Sequence, residues 1–305
     1  MLRLLLILTL IASASAQATP WFDGSPDFTD EASRSLAEKV LQAHGGMQPM
    51  HEAKSLQFSF FTKVLGGPMP FYSFEAVDLA TGDAYIVWPF WDATVAWKDG
   101  ELWSKEWPMP MPAGFFIRLT ASFMTLPWQI NADGANIGPV RQATLPEDDK
   151  VYDVLRITFD QRSPSMPGTF YDLFIDTESG LMKGIRFDIN HPGMVANPSQ
   201  PLGPNFHVFG EYKKFDGLLL PTFYKSYGAG SANGGGSNAY HFAWDVRLDQ
   251  PFDSSRLVAP EGAVQDAVSM KWWQSNNQQS NNRNRNSESA IAIDPITTDA
   301  LGGAR

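Results

Sequence analysis

The 305 residues contain no cysteine. That excludes a disulfide framework, a thiolate metal site and a cysteine nucleophile, and it excludes anchoring through a lipidated cysteine. Positive charge is also in short supply: 23 Lys and Arg stand against 33 Asp and Glu, giving a formal charge of −10. A nucleic acid partner and electrostatic docking on anionic lipid are both disfavoured, since each would meet like charge. Long apolar runs are missing too. The longest near the start, residues 4–12, is too short to span a bilayer, which takes about 20 residues. With Arg3 before it and Ala14 and Ala16 after it, the run predicts a signal peptide over residues 1–16 cleaved after Ala16, and no integral membrane anchor. Export to the periplasm or beyond follows, for a chain that must hold itself together by packing alone.

What the sequence has in abundance is aromatic. Residues 88–112 read WPFWDATVAWKDGELWSKEWPMPMP and carry five of the ten tryptophans. An aromatic side chain covers about 150–250 Å² and is worth roughly 1.5–3 kcal/mol when buried, so something must cover this cluster. Ordinary core packing is one answer; the wall of a pocket is the other. Asp99-Gly100 predicts a two-residue hairpin turn pairing Lys98 with Glu101, Trp97 with Leu102 and Ala96 with Trp103. Trp97 and Trp103 then point to opposite faces. We place Trp91, Trp103 and Trp107 on the concave side with Phe115, Phe116 and Phe123 as ligand-binding residues, and Trp97 elsewhere. Residues 113–126 are apolar nearly all round and stop at Pro127, which predicts a short buried helix or a lid.

Elsewhere the periods are clear. Thr29 as cap, Asp30 and Glu31 in the first turn, and the stripe Ala32, Leu36, Ala37, Val40, Leu41 predict a helix ended by Gly45 and Gly46. From residue 56 the period changes to two: 56–61, 71–79, 84–88, 151–160, 170–176, 181–189 and 239–248 read as strands. Asp216-Gly217 predicts a further hairpin tip. Residues 228–238 read as a flexible glycine loop, and residues 275–305 as a disordered polar tail. The organisation expected is a signal peptide (1–16), an N-terminal extension (17–28), one β domain (29–274) and the tail. The fold class is mainly β with a few helices: a curved antiparallel sheet of about eight to ten strands, or an incomplete barrel.

Reactive constellations are weak. His44 and His51 do not have the spacing of a helical metal pair, and His44 reads as a helix-end histidine at the negative pole of the dipole. His191, His207 and His241 are scattered in sequence. Ser231 lies in a glycine loop without a nucleophile elbow around it. Glu101 with Glu106, or Asp172 with Asp176, could form a glycosidase pair, but 33 acidic residues supply such pairs by chance. No catalytic residue, metal or cofactor is assigned.

The helix running into AHGG (43–46), the segment YDLFIDTESGLMKGIRF (171–187), then GEYKKFDGLLLPTFYKSY (210–227) and VRLDQPFDSSRLVAP (246–260) together resemble the LolA-like group of exported bacterial proteins. The resemblance covers roughly residues 30–260 and rests on structural motifs. It implies an incomplete β-barrel whose apolar concave face is covered by the N-terminal helix and a short second helix, with acyl chains as guests. The chain departs from the lipoprotein carriers in its length, its tryptophan-rich insert and its polar tail, so delivery of lipoproteins is not carried over. The reading is a binding protein for an apolar small molecule or lipid, gated by residues 107–126, with an envelope protein as a further partner. A hydrolase of envelope lipids or glycans is the second reading, and a glycan- or protein-interaction module the third.

Overall fold

The computed structural model describes residue 22 and residues 24–271, apart from 68–69, 110, 133, 161–169, 198 and 229–235. The signal peptide, most of the N-terminal extension before residue 24, the polar tail and Ser231 lie outside the described residues. In chain order the strands are β1 (Asp27–Phe28), β2 (Ser55–Val64), β3 (Phe71–Asp78), β4 (Ala84–Trp88), β5 (Ala93–Lys98), β6 (Glu101–Lys105), β7 (Ala135–Ile137), β8 (Arg141–Thr144) and β9 (Val151–Phe159). They continue with β10 (Tyr171–Ile175), β11 (Met182–Ile189), β12 (Leu202–Phe209), β13 (Tyr212–Phe215), β14 (Leu218–Pro221), β15 (Phe223–Tyr227), β16 (Ala239–Arg247) and β17 (Val264–Gln265). The helices are α1 (Glu31–Ala43), α2 (Gln48–Glu52), α3 (Ala113–Phe116) and α4 (Leu119–Gln129).

Apart from the β13–β14 hairpin, the strands form one sheet in the order β1-β7-β9-β10-β11-β12-β15-β16-β2-β3-β4-β5-β6-β17, with β8 beside β9. Neighbours run antiparallel except β1 and β7. The two ends of this order do not pair, so the sheet is a curved, open half-barrel rather than a closed one. Both halves are meanders built on local turns, and the β16–β2 seam joins them, setting His241 opposite Thr62. The strands outnumber the eight to ten expected because short edge pieces such as β1, β8 and β17 carry too few residues to show a period.

Local chemistry explains the boundaries. The β5–β6 turn has Asp99 at φ 50° and Gly100 at φ 86°, and the pairing is Lys98–Glu101, Trp97–Leu102 and Ala96–Trp103, as the sequence predicts. Asp216 and Gly217, at φ 44° and 94°, turn β13 into β14. The cap of α1 is Asp30 rather than Thr29: its carboxylate accepts from Ser33 N at 2.7 Å, while Asp30 N donates to Ser33 Oγ at 3.3 Å. Thr29 is drawn away, its hydroxyl donating to Ile137 O at 2.8 Å. Leu36, Ala37, Val40 and Leu41 are buried; Ala32 is exposed and Ser33 takes its place inward.

Residues 113–126 form two helices, not one. Arg118 adopts a left-handed conformation (φ 61°) between α3 and α4, and its guanidinium donates to Gly82 O at 2.8 Å and lies over the Trp97 ring. Pro127 does not stop α4, which runs to Gln129. The proline removes one N–H near the end of the helix, but Gln129 Nε2 donates back to Ser122 O and Thr125 Oγ1, and the buried Trp128 donates to Gly46 O. Together α1, α3 and α4 cover the concave face and share its core with inward residues of the strands.

The outer face carries three features of its own. Trp103, Tyr85, Ala96, Ala76 and Leu257 form a satellite cluster where residues 252–264 wrap the sheet. At the far half, Asp172 is fully buried and accepts from Arg141 at 2.9 Å and from Arg156 at 2.8 and 3.0 Å, with Arg186 at 3.7 Å. Across β15, β16, β2 and β3 runs a row of aromatics, among them Tyr72, Phe242 and Trp244, each about two-fifths exposed. Tyr72 stacks on Trp244 with centroids 5.6 Å apart. Among the described residues no helix is long and apolar enough to cross a membrane.

Candidate functional site

Between the concave face and the α3–α4 lid lies a cavity of about 420 Å³, within the roughly 300–1,000 Å³ typical of small-molecule sites. Apart from Thr120 of α4, the lid side is apolar: Met109, Met111, Phe115, Phe116, Leu119 and Phe123. Trp88, Ile86 and Phe71 form one wall, and Phe187, Ile189 and Met194 the other. Alternation along each strand brings the strand residues inward, and Trp88 shares its face with Ile86 two residues before it.

The predicted ligand-binding residues divide. Phe115, Phe116 and Phe123 line the cavity. Trp107 and Trp91 stand behind it, packed on Trp88 at centroid distances of 4.6 and 5.5 Å, and Trp107 also meets Phe116 at 5.4 Å. Trp107 Nε1 donates to Met111 O at 2.6 Å, tying down the proline-rich entry to the lid. Trp103 is a correction: it lies on the outer face, its Nε1 donating to Leu257 O at 3.1 Å, while Trp97 faces the inner core. The expected shared parity of Trp103 and Trp107 fails because β6 ends at Lys105 and Glu106 turns through φ 50°, which breaks the two-residue period between them.

The sheet side of the cavity holds polar groups that the sequence reading did not assemble. Inward parity puts Ser73 and Glu75 on β3, Thr62 on β2, His207 on β12, Tyr224 and Ser226 on β15 and His241 on β16. The available signal was a carboxylate at a core-parity position, Glu75 sharing a face with Val77 in FYSFEAVDL. Burial pushes the Glu75 carboxyl up to about 8, against hydrogen bonds from Ser73 and Thr120, so it is a neutral acid at pH 7. Burial also lowers His241 to about 3 and His207 well below its ordinary value. His241 is held by Thr62 Oγ1 at 2.9 Å and Ser226 Oγ at 2.7 Å, and stacks on Tyr224 at 4.3 Å.

A serine within hydrogen-bonding reach of a histidine suggests acyl transfer, but the third member is Thr62, a hydroxyl. It can orient the imidazole yet cannot compensate the imidazolium that a proton-accepting histidine becomes. A histidine held near pKa 3 is also a weak base at neutral pH. Of the other sequence candidates, His44, Asp172 and Asp176 have structural partners, while His191 Nε2 lies 3.2 Å from Ser269 Oγ, which donates to Asp266. His44 is the C-cap of α1, but it is buried and lowered to about 4 by desolvation, so it meets the helix end as a neutral ring with Nδ1 2.9 Å from Val40 O, not as a cation. Asp176 caps the 177–180 turn through Ser179 N and pairs with Lys150. Asp172 belongs to the arginine cluster, and Glu101 and Glu106 are exposed.

No protein-family profile matches the chain, and no curated protein matches it in sequence. Solved structures do. A LolA superfamily protein from Nitrosomonas europaea is 12% identical, with a TM-score of 0.47 over 75% of this chain and 98% of that one. A DUF1329 family protein from Desulfovibrio piger is 11% identical, with a TM-score of 0.46 over 75% and 98%. An outer membrane lipoprotein-sorting protein domain from Vibrio parahaemolyticus is 10% identical, with a TM-score of 0.42 over 73% and 94%. The chain is thus similar to LolA-superfamily structures at low identity, and what it binds has to be argued from its own residues.

Proposed function

We propose that the protein is an exported, periplasmic binding protein that holds an apolar ligand, a lipid or an acyl chain, without changing it chemically. The observation that carries this reading is the cavity itself: about 420 Å³ beneath a phenylalanine- and methionine-lined lid, left open by the protein's own side chains. Moving an alkyl chain from water to such walls gains about 0.8 kcal/mol per methylene, so a chain of moderate length binds tightly without any charged contact. Methionine thioethers and the two short helices joined at Arg118 suit a lid that adapts to its guest. The row of exposed aromatics on the outer face favours a second reading, an interaction module, and it uses the opposite side of the sheet.

Titration with a fluorescent fatty-acyl probe separates the two. Saturable uptake is expected, and Phe116→Asp, which places a charge at the lid, should weaken it at least tenfold, or about 1.4 kcal/mol. Trp103→Phe and Trp244→Ser, on the outer face, should leave uptake unchanged. Folded wild-type protein that takes up no probe would refute the cavity reading.

A further inference from the structure

At the inner end of the cavity polar groups of β3, α4 and β15 come together. Ser73 Oγ donates to Glu75 Oε1 at 2.9 Å, and Thr120 of α4 and Tyr224 of β15 line the cavity beside them. With Glu75 neutral, each of the four carries an O–H donor, and the Ser73–Glu75 bond uses one of them. Beside them His207 stacks on Tyr224 at 4.8 Å and is enclosed by Phe123 and Phe187. Its Nδ1 is buried without a hydrogen-bond partner. A neutral imidazole has one donor and one acceptor nitrogen, and a buried polar atom without a partner is destabilising. Among the described lining residues there is no Lys or Arg.

We propose that this inner end recognises the hydroxyl head of an amphiphile: the hydroxyl accepts an O–H from the group of Ser73, Glu75, Thr120 and Tyr224 and exchanges a hydrogen bond with His207. The proposal rests on the apolar-ligand reading and adds the head group to it. The ligand class is the long-chain alcohol, sterol or acylglycerol type rather than the free fatty acid. A carboxylate or phosphate in the same place would be stripped of water with no cation to pair with. Ionisation of Glu75 removes one of these donors, so hydroxyl binding weakens as pH rises past about 8. The groups facing Glu75 are Ser73 on its own strand, Thr120 of α4 and Tyr224 of β15, with His207 of β12 and His241 of β16 further along the cavity.

Displacement of the fluorescent acyl probe from the full chain by tetradecanol, myristate and tetradecane tests this. At neutral pH tetradecanol should compete at least tenfold better than myristate. His207→Phe should reduce the ratio of alcohol to alkane affinity severalfold. Glu75→Gln, which keeps an uncharged donor, should flatten the loss of alcohol affinity that wild type shows between pH 7 and about pH 9. Equal competition by myristate and tetradecanol in wild type overturns the proposal, and that comparison needs no variant to fold. Competition by alcohol and alkane alike, with no preference, would overturn the hydroxyl site while leaving the apolar-cavity reading standing; competition by none of the three overturns both.

Discussion

Acidified from pH 7 to about pH 4, the protein should lose its tertiary fold in one cooperative transition and regain it on neutralisation. Four histidines drive this. His44 and His191 are held at about 4, His241 at about 3 and His207 well below its ordinary value, in each case chiefly by burial. Their folded values lie below the unfolded value of about 6.5. As pH falls through 6.5 the unfolded chain therefore takes up protons that the folded chain refuses until pH 3 to 4, and stability declines across that window. At 1.36 kcal/mol per pKa unit, the three groups held near 3 to 4 contribute roughly 3 kcal/mol or more each, so together they rival the 5–15 kcal/mol stability of a typical domain. Glu75 acts with the opposite sign. Its folded value of about 8 exceeds the model-peptide value, so its contribution is full at low pH and declines as pH rises towards 8. Maximum stability should fall near pH 6 to 7. Near-ultraviolet circular dichroism of the tryptophans against pH reads the transition, and a native signal persisting at pH 4 would show that the histidines protonate in place.

Asp172→Ala should destabilise the fold by about 3–5 kcal/mol, the range for removing one partner of a buried ion pair. Asp172 is the carboxylate on which Arg141, Arg156 and Arg186 converge, and its side chain has no exposure. Without it the guanidinium groups repel one another across β8, β9 and β11, and Arg141 and Arg186 already have buried nitrogens without hydrogen-bond partners. Phe170 is set against two of these charges, with Arg156 4.1 Å and Arg186 5.5 Å from its ring centre, and Asp188 also attracts Arg186, so part of the cluster persists. Urea denaturation at neutral pH measures the loss. A change below 1 kcal/mol would mean that solvent, not Asp172, balances the arginines.

Sequence carried the local half of this structure. The Asp99-Gly100 and Asp216-Gly217 turns fix the register of the strands beside them, because positive φ at two consecutive positions leaves little choice of turn. The capped amphipathic helix α1 was legible for a similar reason, apart from a shift of the cap by one residue. Alternation said that Trp97 and Trp103 face apart, but not which of them faces in. That depends on residues 252–264 wrapping the outer face, which lie about 150 positions from Trp103, as the 154-residue span of the Trp103–Leu257 hydrogen bond illustrates. The polar row was hidden for the same reason. Glu75, His207, Tyr224 and His241 come from four strands that meet only once the β16–β2 seam has closed.

The occupancy of the cavity is read most directly by native mass spectrometry of the protein isolated from the cells that make it. A bound mass of lipid size, released by organic solvent and absent from the Phe116→Asp variant, is the expected result. A folded wild-type protein whose mass is that of the bare chain, and which acquires none on exposure to long-chain alcohols or fatty acids, would contradict it.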